Sequence, residues 1–156
     1  MNEAETPLKP PKVVPPFYFL AFLLLMLALH YVLPGPRIFS GSTRYLGIIL
    51  MGASLGFAFW ARMMFIKAGT TVKPYQESSE LVVMGPFHVT RNPMYLSMNV
   101  FLLGLAILLG TLIPFFVIPP FMWILYRRFI RVEERMLERR FGDSYRAYKA
   151  RVRRWI

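Results

Sequence analysis

The sequence predicts an all-α polytopic membrane bundle of about four transmembrane helices, with a helical hairpin in its C-terminal half and a helical tail. Three observations predict it. Hydrophobic residues fill 56% of the 156 positions and charged residues only 17%, against roughly 45–50% and about 25% in soluble domains. The apolar residues fall in charge-free runs long enough to cross a bilayer. The remaining charge is lopsided, 19 Lys and Arg against 8 Asp and Glu for a net +11, and most of the positive charge lies near the C-terminus. The chain has no Cys, which excludes disulfide scaffolds, zinc-thiolate sites, iron–sulfur clusters and cysteine nucleophiles. Its length is that of a single domain, residues 1–156.

The first span is read from a charge-free stretch between Val13 and Pro36, with its apolar centre at Phe17 to Leu33. The preceding segment, residues 1–15, is Pro-rich and without a small-residue cleavage pattern, so it reads as a flexible N-terminal segment and not a removable leader. Pro34-Gly35-Pro36 ends the span in a turn. Ser40-Gly41-Ser42-Thr43 then provides an N-cap for a second span, Tyr45 to Ile66. Arg62 sits within that span near its end and is expected to snorkel to the interface.

No charge occurs between Asn92 and Tyr126. One helix of that length would reach about 50 Å, too long for a single crossing. Gly110-Thr111, with Pro114 close behind, breaks it into a hairpin whose arms are residues 93–110 and 112–130. Pro119-Pro120 is expected to kink the second arm. Gly104 and Ala106 in the first arm, and Gly52, Ala53 and Gly56 in the second span, are small residues suited to close helix packing.

Basic residues set the expected orientation. The connection between spans one and two carries only Arg37 and Arg44, whereas the next carries Lys67, Lys73 and Arg91 and the tail is densely basic. The positive-inside rule therefore places the tail, the middle connection and, with four spans, the N-terminus with Lys9 and Lys12 in the cytoplasm. From Arg127 onward the tail reads as a juxtamembrane basic segment facing anionic lipid; it carries no nucleic-acid-binding motif. Phe129, Val132, Met136, Leu137 and Phe141 recur at helical spacing and form one apolar stripe. Gly142 is placed to end this helix in a left-handed cap, and Asp143 to cap a short final helix with Tyr145 and Tyr148.

Two runs depart from ordinary bundle sequence. One is Leu81-Val82-Val83-Met84-Gly85-Pro86-Phe87-His88-Val89-Thr90-Arg91-Asn92-Pro93-Met94-Tyr95-Leu96, leading into span three. The other is Arg131-Val132-Glu133-Glu134-Arg135-Met136-Leu137, just past span four. A four-span topology brings both to the same face, so a Gly-Pro turn, a helix start and two carboxylates become neighbours. Each also has a plain structural reading: Asn92-Pro93 as a helix start, Glu134 paired with Arg131 at helical spacing. The two histidines, His30 and His88, do not make a metal site.

Together with Phe141-Gly142-Asp143-Ser144-Tyr145-Arg146-Ala147-Tyr148, these runs resemble the isoprenylcysteine carboxyl methyltransferase family, part of a wider group with the phospholipid methyltransferases. The resemblance covers roughly Val72 to the C-terminus. It departs at Asn92, where many members carry His; Asn keeps a hydrogen-bonding side chain but does not titrate. The resemblance implies an S-adenosylmethionine-dependent methyltransferase whose cofactor lies among Leu81, Val82, Gly85, Phe87, Asn92, Tyr95, Leu96, Glu133 and Glu134, on the cytoplasmic face and closed by the tail. Gly85 lets backbone approach a ligand, the start of span three offers free amides to a carboxylate, and the glutamates suit an ammonium or ribose hydroxyls. Arg128 and Arg131 are the candidate catalytic residues, positioned to hold an acidic acceptor. The implied acceptor is a lipophilic or small molecule bearing a carboxylate, thiol or amine. Two rival readings remain at this stage: a noncatalytic scaffold with a lipid-binding tail, and a membrane reductase with a related helical core.

Overall fold

The structure is a computed structural model that describes residues 13–33, 35–69 and 81–156. Residues 1–12, Pro34 and residues 70–80 lie outside it, and with them the expectations for the N-terminal segment, Lys9, Lys12 and Lys73. The first helix, α1 (Pro15–Val32), starts with prolines in its first turn, where the missing amide has no intrahelical partner to lose. A connection with one 3₁₀ turn (Gly41–Arg44) leads into α2 (Tyr45–Lys67). Helix α3 (Pro93–Leu109) again begins on a proline and ends on Gly110 in the left-handed region, φ 76° and ψ 6°. These ends fall within two residues of those read from the sequence.

The second arm of the hairpin is a composite. A 3₁₀ turn (Ile113–Val117) runs into α4 (Ile118–Leu125), then a π-helical turn (Tyr126–Ile130), then α5 (Arg131–Arg151). The expected mid-helix kink at Pro119-Pro120 is not there. Both prolines lie in the first turn of α4, where their lost donors cost nothing, and the geometry changes at the 3₁₀ junction before them. Gly142 interrupts α5 as expected, but at φ 50° and ψ −122°, which is a sharp turn within the tail and not a left-handed cap. The Asp143 carboxylate beyond it is bound by Arg146 at 3.0 Å.

Helices α2 and α3 form the closest helix pair, and the reason is a glycine contact. A Cβ on Gly47 would collide with the Gly104 carbonyl oxygen, and one on Gly104 would lie 2.7 Å from the Gly47 oxygen. Gly104 thus packs as expected. Gly52, Ala53 and Gly56 do not: all three are exposed, and a Cβ on either glycine would meet nothing within 4 Å. Small size permits contact without specifying which face makes it.

The core between α1, α3 and α4 buries Met26, Leu102, Phe121, Leu125, Phe129 and Ile130. Phe22 lies 5.3 Å from Phe121 and Tyr18 stands edge-on to Phe129 at 5.5 Å. A second cluster joins the end of α2 to the segment before α3 and to α5, around Ala61, Phe87, Tyr145, Tyr148 and Val152. Leu137 and Phe141 of the predicted tail stripe pack on it. Outside, α1 and α2 expose Phe17, Leu24, Ile49, Leu55 and Phe59, as helices solvated by lipid do. Segments Pro15–Val32, Gly41–Lys67 and the continuous Ile113–Arg151 are long and apolar enough to cross a membrane. Helix α3 is apolar over 17 residues, about 25 Å of helix, and half-enclosed by the other three. The all-α bundle stands.

Candidate active site at the start of helices α3 and α5

Gly85-Pro86-Phe87-His88 forms a single 3₁₀ turn, and Gly85 at φ 62° takes a conformation that other residues rarely adopt. A Cβ there would lie 3.1 Å from the Met64 sulfur and 3.3 Å from the Trp60 indole nitrogen. Phe87 is buried edge-on against Phe65, with ring centres 5.2 Å apart. The Tyr148 hydroxyl donates to the Phe87 carbonyl at 2.7 Å, tying this turn to α5. Leu81 and Val82 pack against the same cluster, half-buried.

The next three residues hold the C-terminus. The Arg91 amide donates to the Arg153 carbonyl at 3.0 Å. The Thr90 hydroxyl and the Asn92 amide nitrogen both donate to the Arg154 carbonyl, at 2.9 and 3.0 Å. Asn92 stands at the N-cap position of α3, yet its side chain caps nothing there; it is spent on Arg154. First-turn amides of α3 therefore keep their donor capacity.

The two glutamates divide. Glu134 does not pair with Arg131 as their spacing suggests. It accepts from Arg154 Nε at 2.9 Å and from Nη2 at 2.7 Å, and lies 3.1 Å from Arg91 Nη1. The Arg154 guanidinium also covers the Tyr126 ring at 4.9 Å, and the bond to Glu134 holds its pKa above the ordinary arginine value. Two arginines from distant parts of the chain thus converge on one buried carboxylate. Glu133 instead accepts a hydrogen bond from the Tyr95 hydroxyl at 2.5 Å. It lies past the last apolar residue of the preceding span, Ile130. Burial pushes its carboxyl up to about 7, with the Tyr95 bond pulling it down and the neighbouring Glu134 charge adding to the rise.

The predicted residues therefore fall into three groups. Leu81, Val82, Gly85 and Phe87 line the turn; Asn92 and Glu134 join the C-terminal clamp; Tyr95 and Glu133 share a hydrogen bond, with Leu96 half-buried beside Tyr95 in sequence. Arg128 and Arg131 are exposed at the π turn and the start of α5. Sequence reasoning missed the clamp: Thr90, the Arg91 side chain, Arg154 and Tyr126. Its signal was faint, since Arg154 is one of eleven basic residues from Arg127 onward. The Arg91 Nε and the Tyr145 hydroxyl are buried with no hydrogen-bond partner among the described residues. A half-buried carboxyl and uncapped first-turn amides thus lie together at the start of α3.

The profile of the phospholipid methyltransferase family matches residues 42–144, from the start of α2 into α5. The chain belongs to the phospholipid methyltransferase family. An uncharacterized protein of Haemophilus influenzae (strain ATCC 51907 / DSM 11121 / KW20 / Rd) is 40% identical over 63 residues, which is 40% of this chain and 100% of that protein. No solved structure matches. With its apolar helices, the family membership makes this an integral membrane methyltransferase. It favours methyl transfer over the scaffold and reductase readings. The matched region contains Gly85, Asn92, Tyr95, Glu133 and Glu134, while α1 and the Arg154 end of the clamp lie outside it.

Proposed function

We propose that the methyl donor is S-adenosylmethionine, held between the Gly85 turn and the first turns of α3 and α5, and that the acceptor is a lipophilic or small molecule with a carboxylate, thiol or amine. The observation that supports this most directly is the half-buried Glu133 carboxyl fixed by Tyr95 at the start of α3. Its surroundings fit the donor. Glu133 suits the donor's ammonium, the uncapped amides of α3 suit its carboxylate, and Leu81, Val82 and Leu96 are apolar neighbours for its adenosyl part. Glu134, already held by two arginines, serves the site by clamping the C-terminus over it.

When bound, the donor supplies an electrophilic methyl group on a sulfonium. What remains for the protein is alignment and exclusion of water. The strap made by Arg153 and Arg154 across Thr90–Asn92 supplies both, because it fixes the start of α3 against the start of α5. Arg128 and Arg131, exposed on the same stretch of chain, are the candidate residues for holding an acidic acceptor. A carboxylate acceptor needs no base, as in the isoprenylcysteine carboxyl methyltransferase-like chemistry; an amine must lose a proton at some stage. In this reading the site and both termini face the cytoplasm, and the basic tail rests on anionic lipid.

The test is calorimetric titration of the detergent-solubilised protein with S-adenosylhomocysteine, beside Glu133→Gln. Saturable binding by the wild type, weakened at least about tenfold in the variant, supports the assignment. A folded wild type that shows no binding overturns it.

A further inference from the structure

The end of the bundle opposite this site carries a polar cavity, of about 310 Å³, lined by His30, Arg37, Ser40, Arg44 and Thr111 among others. It lies beyond the last turn of α3, roughly 25 Å of helix from Asn92. The methyltransferase reading does not use it.

Its walls are built, not incidental. The Gly110 carbonyl accepts from the Ile38 and Phe39 amides at 2.9 and 3.1 Å, and the Leu112 amide donates to the Pro36 carbonyl at 3.0 Å. Those bonds staple the connection after α1 onto the hairpin tip. Arg44 is anchored by Nε on the Leu108 carbonyl at 2.6 Å, which leaves its two terminal nitrogens as donors. His30 is fixed through Nδ1 by the Thr111 hydroxyl at 2.8 Å, leaving Nε2. Ser40 makes no side-chain capping bond to the 3₁₀ turn it precedes.

The electrostatics are one-sided. The four acidic side chains among the described residues, Glu133, Glu134, Glu138 and Asp143, all belong to α5 at the other end. Neither Arg37 nor Arg44 has a carboxylate partner among the described residues. Two guanidiniums, an imidazole and a hydroxyl around one hollow call for an oxyanion. Tyr31 and Tyr45, 78% and 64% exposed, flank the cavity at the ends of α1 and α2, as aromatic residues do at the headgroup level.

We propose that this cavity binds a phosphate-class oxyanion, with Arg37, Arg44 and His30 Nε2 as its donors. A phospholipid headgroup and a soluble phosphate both carry that group. Hydrogen–deuterium exchange of the full chain in detergent separates them, because it reads residues 35–44 locally and is blind to lipid on the basic tail. The probes are phosphatidylglycerol, diacylglycerol of the same acyl chains, and inorganic phosphate at constant ionic strength. At ten times the dissociation constant, exchange in this segment should slow about tenfold. Slowing by phosphatidylglycerol but not by diacylglycerol supports a lipid source, and slowing by inorganic phosphate supports a soluble one. In either case Arg37→Gln should remove the effect and Arg37→Lys should retain part of it; Arg37 is exposed, so its side chain is replaceable without disturbing the core. No slowing by either phosphate source, or equal slowing in Arg37→Gln, overturns the proposal.

Discussion

Glu133 and Glu134 are adjacent and chemically identical, yet their surroundings give them different work. Glu134 meets two guanidiniums at 2.7 to 3.1 Å, whereas Glu133 meets a phenol. Replacing Glu134 by Ala strands Arg91, whose side chain is 8% exposed; the loss should be about 3 kcal/mol, read as a lower midpoint of thermal unfolding. Replacing Glu133 by Gln keeps the Tyr95 bond and should leave that midpoint nearly unchanged while weakening S-adenosylhomocysteine. The raised carboxyl also sets a pH dependence. Because the free site holds Glu133 protonated below about 7, affinity for an ammonium-bearing ligand should climb as pH rises to that value and then level off. Glu133→Gln should flatten the profile. The sign for stability is the reverse. Between the ordinary carboxyl value of 4.5 and about 7 the unfolded chain ionises Glu133 first, so the ligand-free protein loses stability as pH rises through that window. At this scale the residue types were legible in the sequence. Their partners were not, because a spacing of three along a helix suggested Arg131 for Glu134, while the arginines that bind it lie 43 and 20 residues away.

Helix existence and helix contact separate at the next scale. The first three apolar runs became helices with ends near their expected places, since prolines at helix starts and Gly110 at a helix end act locally, while the fourth became a composite that runs on into the tail. Which glycines touch is a property of the pair. Gly47→Ala should lower the unfolding midpoint, because its methyl group meets the Gly104 carbonyl and the Leu108 amide. Gly52→Ala and Gly56→Ala should be neutral or raise it, by up to about 1 kcal/mol of helix propensity each. Equal effects at all three would show that α2 packs through another face. The π turn at Tyr126–Ile130 was equally invisible to periodicity. It widens the helix immediately before the site, as π turns often do beside functional residues.

For the molecule as a whole, the decisive feature is the return of the C-terminus. Arg153 and Arg154 pass back over Thr90–Asn92, Val152 enters the second cluster and Trp155 packs against the first. A chain ending at Arg151 should therefore lose S-adenosylhomocysteine binding at least about tenfold, with a lowered unfolding midpoint, since it takes Arg154 from Glu134 and leaves the Thr90 and Asn92 side chains without their acceptor. Sidedness is tested separately: the chain has no Cys, and Asp143, 95% exposed, is a clean position for Asp143→Cys. Labelling only from the cytoplasmic side supports the proposed orientation; labelling only from outside reverses it. By itself the sequence determined the class of molecule, the apolar helices, their approximate ends and the two runs that carry the family resemblance, because hydropathy, proline and glycine act through the bilayer and the local backbone. Only the tertiary structure decided which small residues meet, which glutamate is clamped, how the tail returns over Thr90–Asn92, and that cationic side chains line one hollow at the far end of the bundle. Those depend on groups far apart in the chain, whose meeting no local pattern records.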